Sequence, residues 1–116
     1  MYKPLLVAAA LAAAAPAAFG DDAAAIVTTP AVVVINNYEF NPSVLTVAPG
    51  TTVTWVNEDG SPHTVAEQTK VFRSPALDTS DRFSYTFAQP GEFAYYCTLH
   101  PMMVGKIVVK PAGASS

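Results

Sequence analysis

The sequence predicts an all-β fold, an antiparallel sandwich of about seven to eight short strands. Two observations carry this. From Ala31 onward most extended segments place apolar residues at every second position, so each can bury one face and solvate the other. Turn signals separate those segments at short intervals, at Asn36-Asn37, Pro49-Gly50, Asp59-Gly60-Ser61-Pro62 and Pro90-Gly91. Beyond residue 20 no stretch carries convincing helical periodicity. Short strands joined by tight turns pack as two layers.

Residues 1–20 read as a secretory signal. Lys3 supplies the positive start, Leu5 to Ala15 the apolar centre, and Ala18-Phe19-Gly20 a small-x-small cleavage site ahead of Asp21. The apolar run, about fifteen residues broken by Pro16, is shorter than the ~20 that a membrane-spanning helix needs. Residues 21–30 are expected to form an N-terminal arm, and the folded domain to occupy 31–110. Ala31-Val32-Val33-Val34-Ile35 is a β-branched strand stopped by two asparagines. Tyr38 to Pro42 reads as a connection, and Val44 to Val47 as a strand with Leu45 and Val47 inward. Thr51 to Val56 places Val53 and Trp55 on one face, and a turn-rich loop then delivers His63 at the start of an extended piece. Gln68 to Asp81 is the least patterned part, read as short strands and loop. Arg82 to Phe87 puts Phe83, Tyr85 and Phe87 together. Glu92 to Cys97 puts Phe93, Tyr95 and Cys97 on one face, with Ala94 and Tyr96 opposite. Val104 to Lys110 closes the fold, and 111–116 is a polar tail.

Charge and cysteine usage narrow the function. Loss of Lys3 with the signal leaves five basic side chains against nine acidic ones, a net charge near −4 that argues against a nucleic-acid binder. Cys97 is the only cysteine, so no internal disulfide can form. A lone thiol in an oxidising compartment calls for an explanation, and a bound metal holding it as a protected thiolate provides one. Cys97, His100 and Met103 follow one another at intervals of three. A chain turning tightly after a strand, at about three residues per turn, presents all three on one side. Thiolate, imidazole and thioether form a soft set that favours copper over magnesium, calcium or manganese. His63, the second of two histidines, completes the set if the fold brings it over. Both Met102 and Met103 could reach a metal, and the spacing favours Met103. Structural zinc wants four nitrogen or sulfur donors of thiolate and imidazole type, and only three exist here.

The chain resembles the cupredoxins, the type 1 copper proteins that include plastocyanin, pseudoazurin and amicyanin. The resemblance covers about residues 31–110. It rests on Phe40-Asn41-Pro42, Val53 to Asn57, Pro62-His63-Thr64-Val65, Phe83 to Phe87, Pro90-Gly91, and Tyr96-Cys97 through Met103 to Gly105. The short Cys-x-x-His-x-x-Met loop is similar to that of amicyanin. The resemblance implies a Greek-key sandwich and one type 1 copper ion held by His63, Cys97, His100 and Met103. It also implies a soluble one-electron carrier, not an enzyme, shuttling between redox proteins that dock transiently near His100. Such a carrier would be a periplasmic monomer after signal cleavage. A periplasmic copper carrier or storage protein on the same fold is the alternative. Two departures stand out. Thr64 occupies a place often held by asparagine, and its hydroxyl is expected to reach Thr98. Ser80 stands where many relatives carry a turn glycine. The resemblance places Leu99, Pro101 and Met102 as an apolar ring about His100, whereas Tyr96 is expected to pack at the surface.

Overall fold

The computed structural model describes residues 31–111; the expected signal and arm, and the tail from 112 on, lie outside the described residues. Eight strands follow in order: β1 (Ala31–Asn36), β2 (Glu39–Asn41), β3 (Val44–Val47), β4 (Thr51–Asn57), β5 (Ala66–Glu67), β6 (Arg82–Phe87), β7 (Gly91–Tyr96) and β8 (Val104–Val109). They form two four-stranded sheets, β2-β1-β4-β6 and β3-β8-β7-β5.

Alternation becomes burial as expected. Ala31, Val33 and Ile35 of β1, Val53 and Trp55 of β4, and Tyr95 of β7 face inward, with Phe87 closing β6. On the opposite face of β4, Thr52 and Thr54 meet Thr86 and Ser84 of β6 through hydroxyl pairs at 2.7 Å each, the cross-strand contacts that a half-solvated sheet favours. Trp55 lies at the centre of the core, its ring 5.4 Å from Tyr95, 5.5 Å from Phe72 and 5.8 Å from Phe83.

The sandwich departs from pure antiparallel pairing at two places. β1 runs parallel to β4, and β3 parallel to β8. In the first case the chain leaves the sheet through β3, which belongs to the other layer, and re-enters in its original direction. A connection of that length permits parallel pairing, whereas a hairpin forces antiparallel. The register pairs Ile35 with Asn57, so the turns leaving β1 and β4 emerge side by side at one end of the sandwich.

The segment read as a connection contains β2, which pairs antiparallel with β1 through Ile35 and Phe40. Its two-residue turn, Asn37-Tyr38, has φ of 53° and 60°. That is a type I′ hairpin written without glycine, hence without its usual sequence signal. The unpatterned stretch 68–81 folds back along 63–67. Backbone pairs join His63 to Leu77 and Ala66 to Arg73, and Phe72 and Leu77 are delivered to the core.

Candidate metal centre

The loop between β7 and β8 is built of two successive tight turns. The His100 N–H donates to the Cys97 carbonyl at 3.3 Å and the Met103 N–H to the His100 carbonyl at 2.8 Å, while the Cys97 N–H donates to the Met103 carbonyl at 3.1 Å. Three residues per turn stacks Cys97, His100 and Met103 as the spacing anticipates. The loop's two ends are thereby locked together where β7 and β8 diverge.

His63 arrives on the connection that crosses from β4 of one sheet to β5 of the other. Its backbone is pinned by two hydrogen bonds to Leu77, at 3.0 and 2.7 Å, and its ring is fully buried. Nδ1 of His63 and Nδ1 of His100 each lie 3.7 Å from Cys97 Sγ, and the donor atoms of the three residues fall within 4.8 Å of one another. Donors sharing one metal ion at bond lengths of about 2.0–2.3 Å sit roughly 3–4 Å apart, so the sulfur–nitrogen separations fit a common ion. Met103 is 5% exposed and belongs to the same core cluster as Cys97, whereas Met102 is 94% exposed. The four residues singled out from sequence therefore share one end of the sandwich. Two imidazoles, a thiolate and a thioether are the donor chemistry of a type 1 copper site.

Two residues that sequence reasoning passed over organise this site. Asp59 Oδ2 lies 2.9 Å from His63 Nε2. The Tyr38 N–H beside Asp59, then the His63 ring, hold its carboxyl below the usual range despite some opposing burial. An ionised carboxylate accepts, so in the neutral imidazole Nε2 carries the proton and Nδ1 is the bare nitrogen facing the sulfur, the tautomer a metal needs. The signal available was an aspartate four residues before a histidine in a turn-rich loop, too common to stand out. Tyr38 is the other. Its ring meets His100 edge-on at 4.8 Å and His63 at 5.2 Å.

Asn57 shapes the loop that carries Asp59 and His63. Its amide donates to the carbonyls of Ser61 and Leu77 at 2.9 and 2.8 Å, and its Oδ1 accepts from the Asp59 N–H at 2.8 Å. Thr64 joins the two metal-site loops as expected, its Oγ1 lying 2.9 Å from Thr98 Oγ1 and accepting the Thr98 N–H at 2.7 Å. The Thr64 N–H points at Cys97 Sγ from 3.4 Å, a contact that stabilises negative charge on sulfur. Ser80 adopts φ of 77°, the left-handed conformation that explains glycine in that turn elsewhere.

His100 is the partly exposed imidazole, bordered by Leu99, Pro101 and Met102, all exposed. A groove of about 620 Å³ opens beside it, lined by Phe40, Ser43, Met103 and Val104 among others.

Known proteins are similar to this chain in sequence and in shape. Amicyanin of Paracoccus denitrificans is 35% identical over 81 residues, covering 66% of this chain and 62% of the amicyanin. Amicyanin-alpha of Methylorubrum extorquens is 36% identical over 81 residues, covering 66% and 68%. The chain thus spans about three fifths of the Paracoccus protein's length. Among solved structures, a purple cupredoxin from Nitrosopumilus maritimus superposes with a TM-score of 0.66 at 36% identity, covering 69% of this chain and 99% of that one. An oxidised amicyanin variant gives 0.66 at 35% identity, covering 69% and 81%. The cupredoxin-like domain family model matches residues 4–109, and with the two-sheet sandwich and the donors gathered at one end, the chain belongs to the cupredoxin-like domain family.

Proposed function

We propose that the protein is a soluble, monomeric one-electron carrier whose single type 1 copper ion is held by His63, Cys97, His100 and Met103. The observation that supports this most strongly is the pair of Nδ1 atoms equidistant, at 3.7 Å, from one buried sulfur. When bound, the copper ion supplies a Cu(II)/Cu(I) couple. The chain's own contribution is rigidity. Asp59 holds the His63 tautomer, the turns of the 97–103 loop hold Cys97 and His100, and Thr64 ties the two loops together. Little has to move when the charge at the centre changes, and a low reorganisation cost favours fast transfer.

Electrons enter and leave through His100, because His63 and Cys97 are fully buried while His100 reaches the surface. Leu99, Pro101 and Met102 offer a small apolar rim to donor and acceptor proteins, and a small contact suits partners that must separate after each exchange. The leader-like segment 1–20 and the relationship to amicyanin favour a periplasmic location. With two histidines in the whole chain, none remains for a second copper of the kind that a copper enzyme uses. A copper carrier or storage protein on the same fold is the second reading. Complete burial of Cys97 disfavours it, since metal handover needs accessible donors.

The test is the visible spectrum of the copper-loaded protein before and after ascorbate. An intense blue absorption that bleaches on reduction is expected. A colourless protein that binds Cu(I) tightly would favour the carrier reading, and absence of copper binding would overturn both.

A further inference from the structure

The β1–β2 turn is made at a cost that the fold does not require. Both of its central residues have positive φ, and the second is Tyr38 at 60°, where glycine is the usual choice because a Cβ crowds the backbone in the left-handed region. The Tyr38 side chain gives nothing to the core, being 48% exposed. Strain of this kind, held at a functional end of a molecule, points to what the side chain does there.

The ring lies edge-on against both imidazoles, 4.8 Å from His100 and 5.2 Å from His63, and its hydroxyl is anchored 2.6 Å from Ser61 Oγ on the loop that delivers His63. The backbone of the same residue donates to Asp59 Oδ2 at 2.9 Å, and that oxygen also takes His63 Nε2. One residue thus touches four parts of the site: both histidine rings, the carboxylate behind one of them, and the loop that carries it.

We infer that Tyr38 is the lid of the metal centre, a positioning residue whose ring restrains both imidazoles and keeps solvent from the Cys97 sulfur. The metal-retention half of this inference rests on the copper reading above; the thiol-shielding half does not. Tyr38→Gly isolates the ring, because it relieves the positive φ and leaves the backbone donor to Asp59 in place. The lid predicts opposite signs for stability and protection. The metal-free variant should melt at the wild-type temperature or above. Its Cys97 should nevertheless be alkylated by iodoacetamide about tenfold faster, and its copper lost to a chelator about tenfold faster, the scale on which outer contacts act at metal sites. A residue that merely filled the turn would change stability and leave both rates alone.

Cys97 is the only thiol in the chain, so mass spectrometry reads the alkylation without ambiguity. Tyr38→Phe should keep both rates near wild type; if it behaved like glycine, the Ser61 bond and not the ring would be the restraint, and the lid would be wrong. Should the glycine variant melt lower, Tyr38→Asn, which also tolerates the left-handed region, repeats the comparison. Wild-type protein that binds no copper, with faster alkylation in the variant, would sink the copper reading and leave the lid standing. Copper bound normally, with neither rate changed in the variant, would overturn the lid alone.

Discussion

Met102 and Met103 are adjacent and chemically identical, yet one is exposed and the other buried beside Cys97. A tight turn every third residue separates them, because only Met103 falls in phase with Cys97 and His100. Met103→Ala should therefore lower the stability of the metal-free protein by about 2–5 kcal/mol through lost burial and a residual cavity. Met102→Ala should stay within about 0.5 kcal/mol of wild type. Denaturant midpoints measure both. Met103→Leu separates packing from ligation: it nearly conserves volume, costing less than about 1.5 kcal/mol, and should alter the visible spectrum of the copper form. An unaltered spectrum would remove Met103 from the donors. Which methionine turns inward was legible in the spacing, as was the Thr64–Thr98 link once its hydroxyl was considered. The parts played by Asp59 and Tyr38 were not, since an aspartate in a turn and a tyrosine in a connection have no local pattern to mark them.

At the scale of elements, the metal-site loop depends on how β7 and β8 are clamped. Tyr95 of β7 pairs with Gly105 of β8, and a Cβ at Gly105 would overlap the Tyr95 ring at Cζ. Tyr95 is fully buried and cannot step aside. Gly105→Ala should cost about 1–3 kcal/mol as overpacking, seen as a lower urea midpoint. A midpoint equal to wild type would show that the two strands part easily, and the loop between them would lose its claim to rigidity. Strands β3, β4, β6 and β7 were readable from the alternation of a buried and a solvated face, and β1 and β8 as β-branched and apolar runs. β2 escaped because three residues are too few for alternation to register and its turn lacks glycine. The 68–81 stretch was unpatterned because it contributes isolated anchors, Phe72 and Leu77, in place of a continuous face.

For the whole molecule, two buried ionisable groups, Glu67 and Tyr95, contribute to the dependence of stability on pH, together with Asp59 on the acid side. Burial is the largest influence on Glu67 and would raise its pKa. The N–H groups of Val71 and Thr69, with the Thr69 hydroxyl, outweigh it and bring the carboxyl below its ordinary 4.5. Its contribution is present above the ordinary value and lost as pH falls through the lowered one. Tyr95 behaves in the opposite sense. Burial pushes its phenol up to about 12 from 10.0; the Trp55 N–H is near enough to favour the phenolate slightly, but neither polar atom has a partner in good hydrogen-bonding geometry. The stability tied to a neutral Tyr95 is complete below pH 10 and lost as pH rises through about 12. Melting temperature of the metal-free protein should therefore fall on the acid side as Glu67 and Asp59 take up protons, and on the alkaline side as Tyr95 ionises. Glu67→Gln should lessen the slope on the acid side, leaving the share of Asp59, and Tyr95→Phe should lessen it on the alkaline side. If the alkaline side kept its slope in the phenylalanine variant, another group would be responsible.

The sequence by itself determined the fold class and the tight-turn loop that carries Cys97, His100 and Met103. Both rest on local rules, alternation every two residues and turns of three, which neighbouring residues express without help from the rest of the chain. Tertiary structure decided the rest. His63 reaches Cys97 only because the β4 end and the β7 end meet at one edge of the sandwich. Tyr38 and Asp59 meet only because β1 runs parallel to β4 with Ile35 opposite Asn57. Pairings between distant segments follow from how the layers close over Trp55 and its neighbours, and burial of that core is a property of the assembled sheets, which no single stretch of sequence encodes.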